Sequence, residues 1–363
     1  MPPIELAGRL LLFLLGAWIV GGTLLSAIKT FVLPRAAPSL LPLVVFRAVR
    51  LLFRLRLARA TTYEERDRVM ALFAPVGLLV LSAAWLLLVG LGYTAMFRAV
   101  GVDSWIAALT LSGSSLLTLG FYPPASPFQI LLALSEASIG LVLVALLIAY
   151  LPTMYSAFSR REAAVTMLET RGGSPPSPVE VLARYRRIGA LDRLGDLWAQ
   201  WEQWFVDVGE THTSLAALSF FRSPRPEHSW VTAAGAVLDT AAIVHSTVDL
   251  PPDPQVQLML RAGYLALRHI ADYYDLEYEP EPKPDDPISI TRGEFDQVCD
   301  RLVDNGLPVK ADRDAAWRGF VGWRVNYDTV LLALAALTMA PPAPWSSDRS
   351  KLVRRPLLRR LRR

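Results

Sequence analysis

Three apolar runs, each of a length that fits a lipid bilayer, limit this chain more than any other feature. A helix needs about 20 apolar residues to cross a hydrocarbon core roughly 30 Å thick. The first run covers about Leu10–Ile28 (LLLFLLGAWIVGGTLLSAI). The second lies within Val69–Phe97 around VGLLVLSAAWLLLVGLGY, and the third covers Phe128–Leu151 (FQILLALSEASIGLVLVALLIAYL). Lipid offers no water to an open backbone, so all three are expected to be membrane helices. Glu5 and Arg9 give the first run a poor basic leader, and its apolar stretch is long for a secretory signal. It therefore reads as a retained anchor rather than a cleaved leader. The run LLALAALTMA at 331–340 is too short to cross and suits a buried core helix.

Hydrophobic residues make up 53% of the 363 and charged residues 19%, against about 45–50% and 25% in soluble domains. One region in lipid and one in water is the organisation that balance predicts. Residues 1–160 hold 12 basic and 6 acidic residues, residues 161–348 hold 17 basic and 27 acidic, and the tail 349–363 holds 8 basic and none acidic. The lone cysteine, Cys299, excludes an internal disulfide and a zinc site built on cysteines, and is expected in a reducing cytosol. Thirty-three of the 37 basic residues are arginine, a skew that hints at a bacterial source.

Basic residues orient the runs. Lys29, Arg35, Arg47, Arg50, Arg54, Arg56, Arg59, Arg66 and Arg68 lie between the first two, and Arg160 and Arg161 follow the third. Residues 99–127 contain no Lys or Arg. The expected topology puts the N-terminus and 99–127 outside and the C-terminal region in the cytoplasm. Within 40–59, Arg47, Arg50 and Arg54 fall on one side of a helix, opposite Val45, Phe46, Val49, Leu52 and Phe53. That pattern predicts an interfacial helix on an anionic leaflet. The alternative, a voltage-sensing helix, would add a crossing, and no acidic partner helix is visible.

The segment between the second and third runs carries the chemistry: GVDSWIAALTLSGSSLLTLGFYPPASPF. Asp103 or Ser104 caps a helix expected over Trp105–Leu117, and Gly120 with Pro123, Pro124 and Pro127 ends it. About 13 residues reach only about 20 Å, so the helix must enter and leave on one side. Irregular backbone at membrane depth is tolerated only inside protein or beside water. A pore or substrate path is the functional reading, and a short outer loop helix is the bland one. Glu136 is the sole acid in an expected span, a candidate for bracing this segment or lining a vestibule, with plain packing as the alternative. Gly140 is either a bend point or a close-packing position.

Residues 69–155 resemble the potassium-channel-like pore domains. The match rests on an outer helix, a short pore helix, Thr118-Leu119-Gly120-Phe121 in place of Thr-Val-Gly-Tyr, and an inner helix with Glu136 and Gly140 in the pattern E-A-x-x-G. The resemblance implies a homo-tetramer passing a monovalent cation, K+ in the family, with no other cofactor. The carbonyls of Thr118, Leu119, Gly120 and Phe121 would form the filter. Trp105, Ser114, Ser115 and Glu136 would support it, and Gly140 would be the gating hinge. The chain departs from the family at Tyr122-Pro123, where Gly-Asp is usual, which leaves ion preference open.

Residues 160–345 read as helices near 156–171, 178–208, 229–247, 254–275, 291–305 and 311–339, separated by Pro- and Gly-rich loops. Trp198, Trp201, Trp204 and Phe205 form an aromatic stripe suited to a core, with subunit docking as the rarer use. No dinucleotide fingerprint is present. His212, His245 and His269 lack metal-ligand spacing, and Glu210-Thr211-His212-Thr213-Ser214 lacks a nucleophile elbow, so neither a metal nor an enzyme is expected. The loop Arg222-Ser-Pro-Arg225-Pro is a solvated turn, with an anionic lipid or ligand as its functional reading.

The expected fold is an all-α membrane protein, with three transmembrane helices plus a re-entrant pore helix and a helical cytoplasmic domain. Its expected divisions are an anchor with basic helix at 1–68, a pore domain at 69–159, the cytoplasmic domain at 160–345 and a basic tail at 346–363. The expected function is a plasma-membrane cation channel. The rival is an anchored helical scaffold or sensor with a degenerate pore segment. Anionic lipid is the expected partner of the basic loop and tail, and nucleic acid is not expected.

Overall fold

A computed structural model describes residues 3–31 and 40–349. The tail beyond Arg349 and the loop position Arg35 lie outside the described residues. All regular structure among the described residues is helical, apart from one antiparallel bridge between Val248 and Val309. Three helical stretches are long and apolar enough to cross a membrane: Pro3–Phe31, Tyr63–Ala99 and Pro127–Gly172.

One compact unit holds α1 (Pro3–Phe31), α2 (Leu40–Leu57), α4 (Phe73–Ala99), α5 (Trp105–Leu116) and α6 (Pro127–Gly172) as far as Ser156. Between α2 and α4 lies α3 (Tyr63–Ala71), whose Thr62 and Glu65 exchange capping hydrogen bonds at 3.2 and 3.4 Å. Glycine sets the closest crossings. A Cβ on Gly16 would come within 2.4 Å of the Gly92 carbonyl, so α1 and α4 meet backbone to backbone. Trp85 is buried at the same interface, donating from Nε1 to Ser26 Oγ at 3.2 Å. The outer faces are large and apolar, with Leu10, Trp18, Leu79, Leu87, Leu131 and Leu141 all exposed.

Against expectation, α2 turns its valines inward. Val45 and Val49 are buried, Phe46 fills the space beside Gly77, and Phe46 and Phe53 both stand edge-on to Phe73. The side left open carries Val44, Leu51, Leu52 and Leu55. Leu52, expected on the same apolar side as Val45 and Val49, is instead 63% exposed.

The other unit holds residues 61–68 and the chain from Ala157 onward. The start of α3 joins it because Arg222 bonds Tyr63 Oη at 3.1 Å and Asp67 at 3.2 Å. Its centre is α9 (Trp230–Thr247), buried on nearly every face. Packed around it are α7 (Pro178–Arg187), α10 (Pro254–Tyr273), α12 (Arg313–Arg324) and α13 (Asp328–Thr338). α8 (Leu194–Ser214) packs on α10, and α11 (Arg292–Asp304) completes the set. Trp198, Trp201, Trp204 and Phe205 are all buried in this core.

Two expected helices are each broken in two. The 178–208 helix stops at Arg187, because Gly189 takes φ +68 and ends it, and α8 restarts at Leu194. The 311–339 helix stops at Arg324, where Asn326 Nδ2 donates to the Gly322 and Trp323 carbonyls and caps the end. In the opposite sense, the expected 156–171 helix is continuous with the third apolar run. At 46 residues α6 reaches about 69 Å, more than twice what a bilayer core requires.

Candidate functional site

The local sequence explains why α5 forms and why it stops. Ser104 accepts from the Ala107 N–H at 3.1 Å, and the helix runs through Trp105–Leu116. After Leu117 the chain wraps around the buried Ser114. The N–H groups of Leu119 and Gly120 donate to the Ser114 carbonyl at 2.8 and 3.4 Å, and that of Tyr122 to its hydroxyl at 3.2 Å. Two left-handed residues make the wrap, Thr118 at φ +56 and Gly120 at φ +70. Glycine adopts that conformation freely, whereas a β-branched threonine there is strained.

A trans peptide holds its N–H and C=O on opposite sides. Because the N–H groups of 119, 120 and 122 turn toward Ser114, the carbonyls of Thr118, Leu119 and Phe121 turn away from it. Residues Leu117 to Phe121 are all exposed. The Thr118 hydroxyl is spent locally, donating to the Leu117 carbonyl at 2.8 Å. Ser115 likewise donates to its own helix, at Leu111, and Trp105 is exposed at the start of α5.

Glu136 is fully buried on α6 and takes its partner from α5: Ser112 Oγ lies 2.5 Å from Oε1. Ser112 Oγ also lies 2.9 Å from the Gly90 carbonyl of α4, so one serine joins three helices. One hydroxyl proton thus faces two acceptors, and Glu136 Oε2 has no hydrogen-bond partner among the described residues. Beside this trio, Tyr93 of α4 bonds Ser135 of α6 at 2.8 Å. Ser112 and Gly90 were not singled out from sequence. The available signal was helical spacing, since Ser112 shares the buried face of Ala108 and Leu111.

Gly140 sits against the end of α5, where a Cβ would fall 2.3 Å from the Leu116 carbonyl. Of its two readings the geometry favours close packing, and α6 continues through it unbroken. A proline inside α6, Pro152, is the position where the helix lacks a backbone donor. Arg47, Arg50 and Arg54 follow one edge of α2, beside its open apolar side.

In the other unit the polar residues that invited chemistry are committed to structure. His212 is fully buried with Arg161 Nη1 3.1 Å from its Nε2. Burial first, and then the Arg161 charge, hold its pKa well below the usual histidine value. The neighbouring Thr213 and Ser214 hydroxyls donate to their own helix at Glu210. Arg324 is enclosed by Asp239 at 2.5 Å, Asp328 at 2.8 Å and the Trp345 carbonyl at 2.6 Å. Burial pushes the Asp239 carboxyl up while Arg324 pulls it down, and the net direction is upward. Among the described residues no three His, Cys, Asp or Glu side chains are grouped to hold a metal ion. Arg222 is a strut rather than a solvated turn residue, donating to the Thr338 and Met339 carbonyls at 2.7 and 2.9 Å. Comparison of the chain with models of protein families, with curated proteins and with solved structures gives no match.

Proposed function

We propose that this chain is one subunit of a cation channel of the plasma membrane, built on the plan of the potassium-channel-like pore domains. The observation that carries the proposal is the direction of the carbonyls at Thr118, Leu119 and Phe121. They face away from a short capped helix that is pinned to both neighbouring apolar helices through Ser112. A single copy offers one such strand, so a ring of oxygens requires several chains, and four is the number the family plan gives. In that ring the oxygens would replace the hydration shell of a monovalent cation such as K+. The C-terminal helical unit would be cytoplasmic and would regulate or assemble the pore. The basic edge of α2 would meet anionic lipid.

The second reading is an anchored helical scaffold or sensor whose pore-like segment does not conduct. Tyr122-Pro123 favours it, because a residue before proline is driven to extended geometry where the family keeps a glycine. Current recordings from purified protein in planar bilayers decide between the two. A cation current that Gly120→Asp abolishes or re-tunes supports the channel, since Gly120 holds φ +70 beside the carbonyls that matter. No current, or one unchanged by the substitution, overturns it, and a strict monomer in mild detergent does the same.

A further inference from the structure

Glu136 is the one charged side chain in its surroundings. Phe73–Phe97 of α4, Trp105–Leu116 of α5 and the stretch of α6 from Pro127 to Ser159 hold no other Asp, Glu, Lys, Arg or His. The charged residues of α1 are Glu5, Arg9 and Lys29, at its two ends. The titratable side chain beside Glu136 is Tyr93 of α4, whose hydroxyl is bonded to Ser135 at 2.8 Å. Glu136 itself is fully buried, and its Oε2 has no hydrogen-bond partner among the described residues. An ionised carboxylate here would have no countercharge and one oxygen without a donor. Burying such a charge costs far more than burying the neutral acid.

The protons of the neighbouring hydroxyls are committed elsewhere. Ser135 donates to the Leu132 carbonyl at 2.8 Å, so the proton in its bond with Tyr93 is the tyrosine's. Ser138 donates to Leu134 at 2.8 Å, Ser115 to Leu111 at 2.9 Å and Thr94 to Gly90 at 2.7 Å. Three oxygens then stand in a row, Glu136 Oε1, Ser112 Oγ and the Gly90 carbonyl, with gaps of 2.5 and 2.9 Å. Both gaps are of hydrogen-bond length, and Ser112 has one proton for the two. Turned to Glu136, its oxygen meets the Gly90 carbonyl, which can only accept, with no proton between them. Turned to Gly90, it meets a carboxylate in the same way. A proton on Oε1 fills both gaps, the carboxyl donating to Ser112 and Ser112 to Gly90.

We propose that Glu136 is a proton-binding site, its carboxyl holding one proton on Oε1 and relaying a hydrogen bond through Ser112 to the Gly90 backbone. The bound proton is the piece that lets α5 sit against α4 and α6 at once. Removing it with alkali would leave a buried charge and two facing acceptors at the joint of the three helices. The site is independent of the pore reading, and it holds or falls whether or not the chain conducts. In a conducting chain it would steady the helix that carries Thr118–Phe121.

The test uses the full-length protein in detergent, with infrared spectra taken at pH 7, where a solvent-exposed glutamate is ionised. Burial also pushes the carboxyls of Glu169, to about 7, and of Asp239 upward, so subtracting the spectrum of Glu136→Gln isolates the Glu136 signal. The expected result is a carboxylic-acid carbonyl band that is present in the unsubstituted protein and lost in Glu136→Gln. Its frequency should rise in Ser112→Ala, because the acid loses the oxygen to which it donates. Should Glu136→Gln fail to fold, carbon-13 NMR of the glutamate δ-carboxyls reads the same state in the unsubstituted protein. One resonance should lie at the neutral-acid position at pH 7 and move in Ser112→Ala. A carboxylate at Glu136 at pH 7 overturns the proposal, and so does an acid signal that Ser112→Ala leaves in place.

Discussion

At the scale of single residues, Ser112 decides more than its size suggests, because Glu136 is wholly buried and has no other partner among the described residues. Removing the hydroxyl leaves a buried carboxyl unpaired, a loss of about 1–3 kcal/mol. Ser112→Ala should therefore lower the melting temperature of the protein in detergent. Glu136→Leu in the same background should restore part of the loss, since replacing both partners by apolar groups removes the unmet demand. Equal stability of Ser112→Ala and the unsubstituted protein would show that the bond holds nothing. Gly140 offers a second test. An added methyl would meet the Leu116 backbone at 2.3 Å, and backbone cannot swing aside as a flexible side chain can. Gly140→Ala should cost about 1–3 kcal/mol through overpacking, read as a lower melting temperature. A free hinge would instead gain from the better helix former, so a rise in melting temperature would return Gly140 to the gating role.

Elements set the protonation states of the second unit. α8 carries His212 into a site closed to water and opposite Arg161, and the folded chain resists charging it. The unfolded chain takes that proton near pH 6.5, so below this value the unfolded state binds more protons than the folded one. The contribution of His212 to stability is complete above about pH 6.5 and is lost progressively as pH falls. Denaturant unfolding should show stability declining between pH 7 and pH 5, and His212→Gln should flatten that decline. An imidazole nitrogen shift of His212 titrating near pH 6.5 in the folded protein would refute the assignment. Elements were also the scale at which sequence spoke most clearly. Length and hydropathy marked all three membrane-length helices, and the spacing of Trp198, Trp201 and Trp204 marked a core face. Helix ends were harder, because Gly189 and Asn326 act through a left-handed turn and a side-chain cap that periodicity does not register. At the candidate site, the bracing serine was one of several within a few residues. Ser114 is buried as well, its hydroxyl serving the loop, and that of Ser115 serves the helix itself, so it is the contact with Glu136 and Gly90 that distinguishes Ser112.

Across the whole molecule, the two units differ in what their surfaces demand. The second buries five of its seven tryptophans and its arginine–aspartate network. The first leaves Trp18, Leu79, Leu87, Ile106, Leu109, Leu119 and Phe121 exposed, a surface that only lipid or further copies of the chain can cover. α2 shows which kind of cover suits its own side. Its inner face is taken by Gly77 and Phe73, its open face is leucine, and its edge is arginine. Leucine beside arginine suits a boundary where acyl chains give way to anionic headgroups. Each arginine near such a surface contributes about 1 kcal/mol, so three together amount to roughly a hundredfold in lipid preference. Replacing Arg47, Arg50 and Arg54 with glutamine should shift the dependence of melting temperature on phosphatidylglycerol in mixed micelles. At least tenfold more of the anionic lipid should be needed for the same stabilisation, with no change in phosphatidylcholine. If the triple variant answers phosphatidylglycerol as the unsubstituted protein does, the arginine edge of α2 does not face anionic lipid. The open leucine face would then be left for a neighbouring copy to cover.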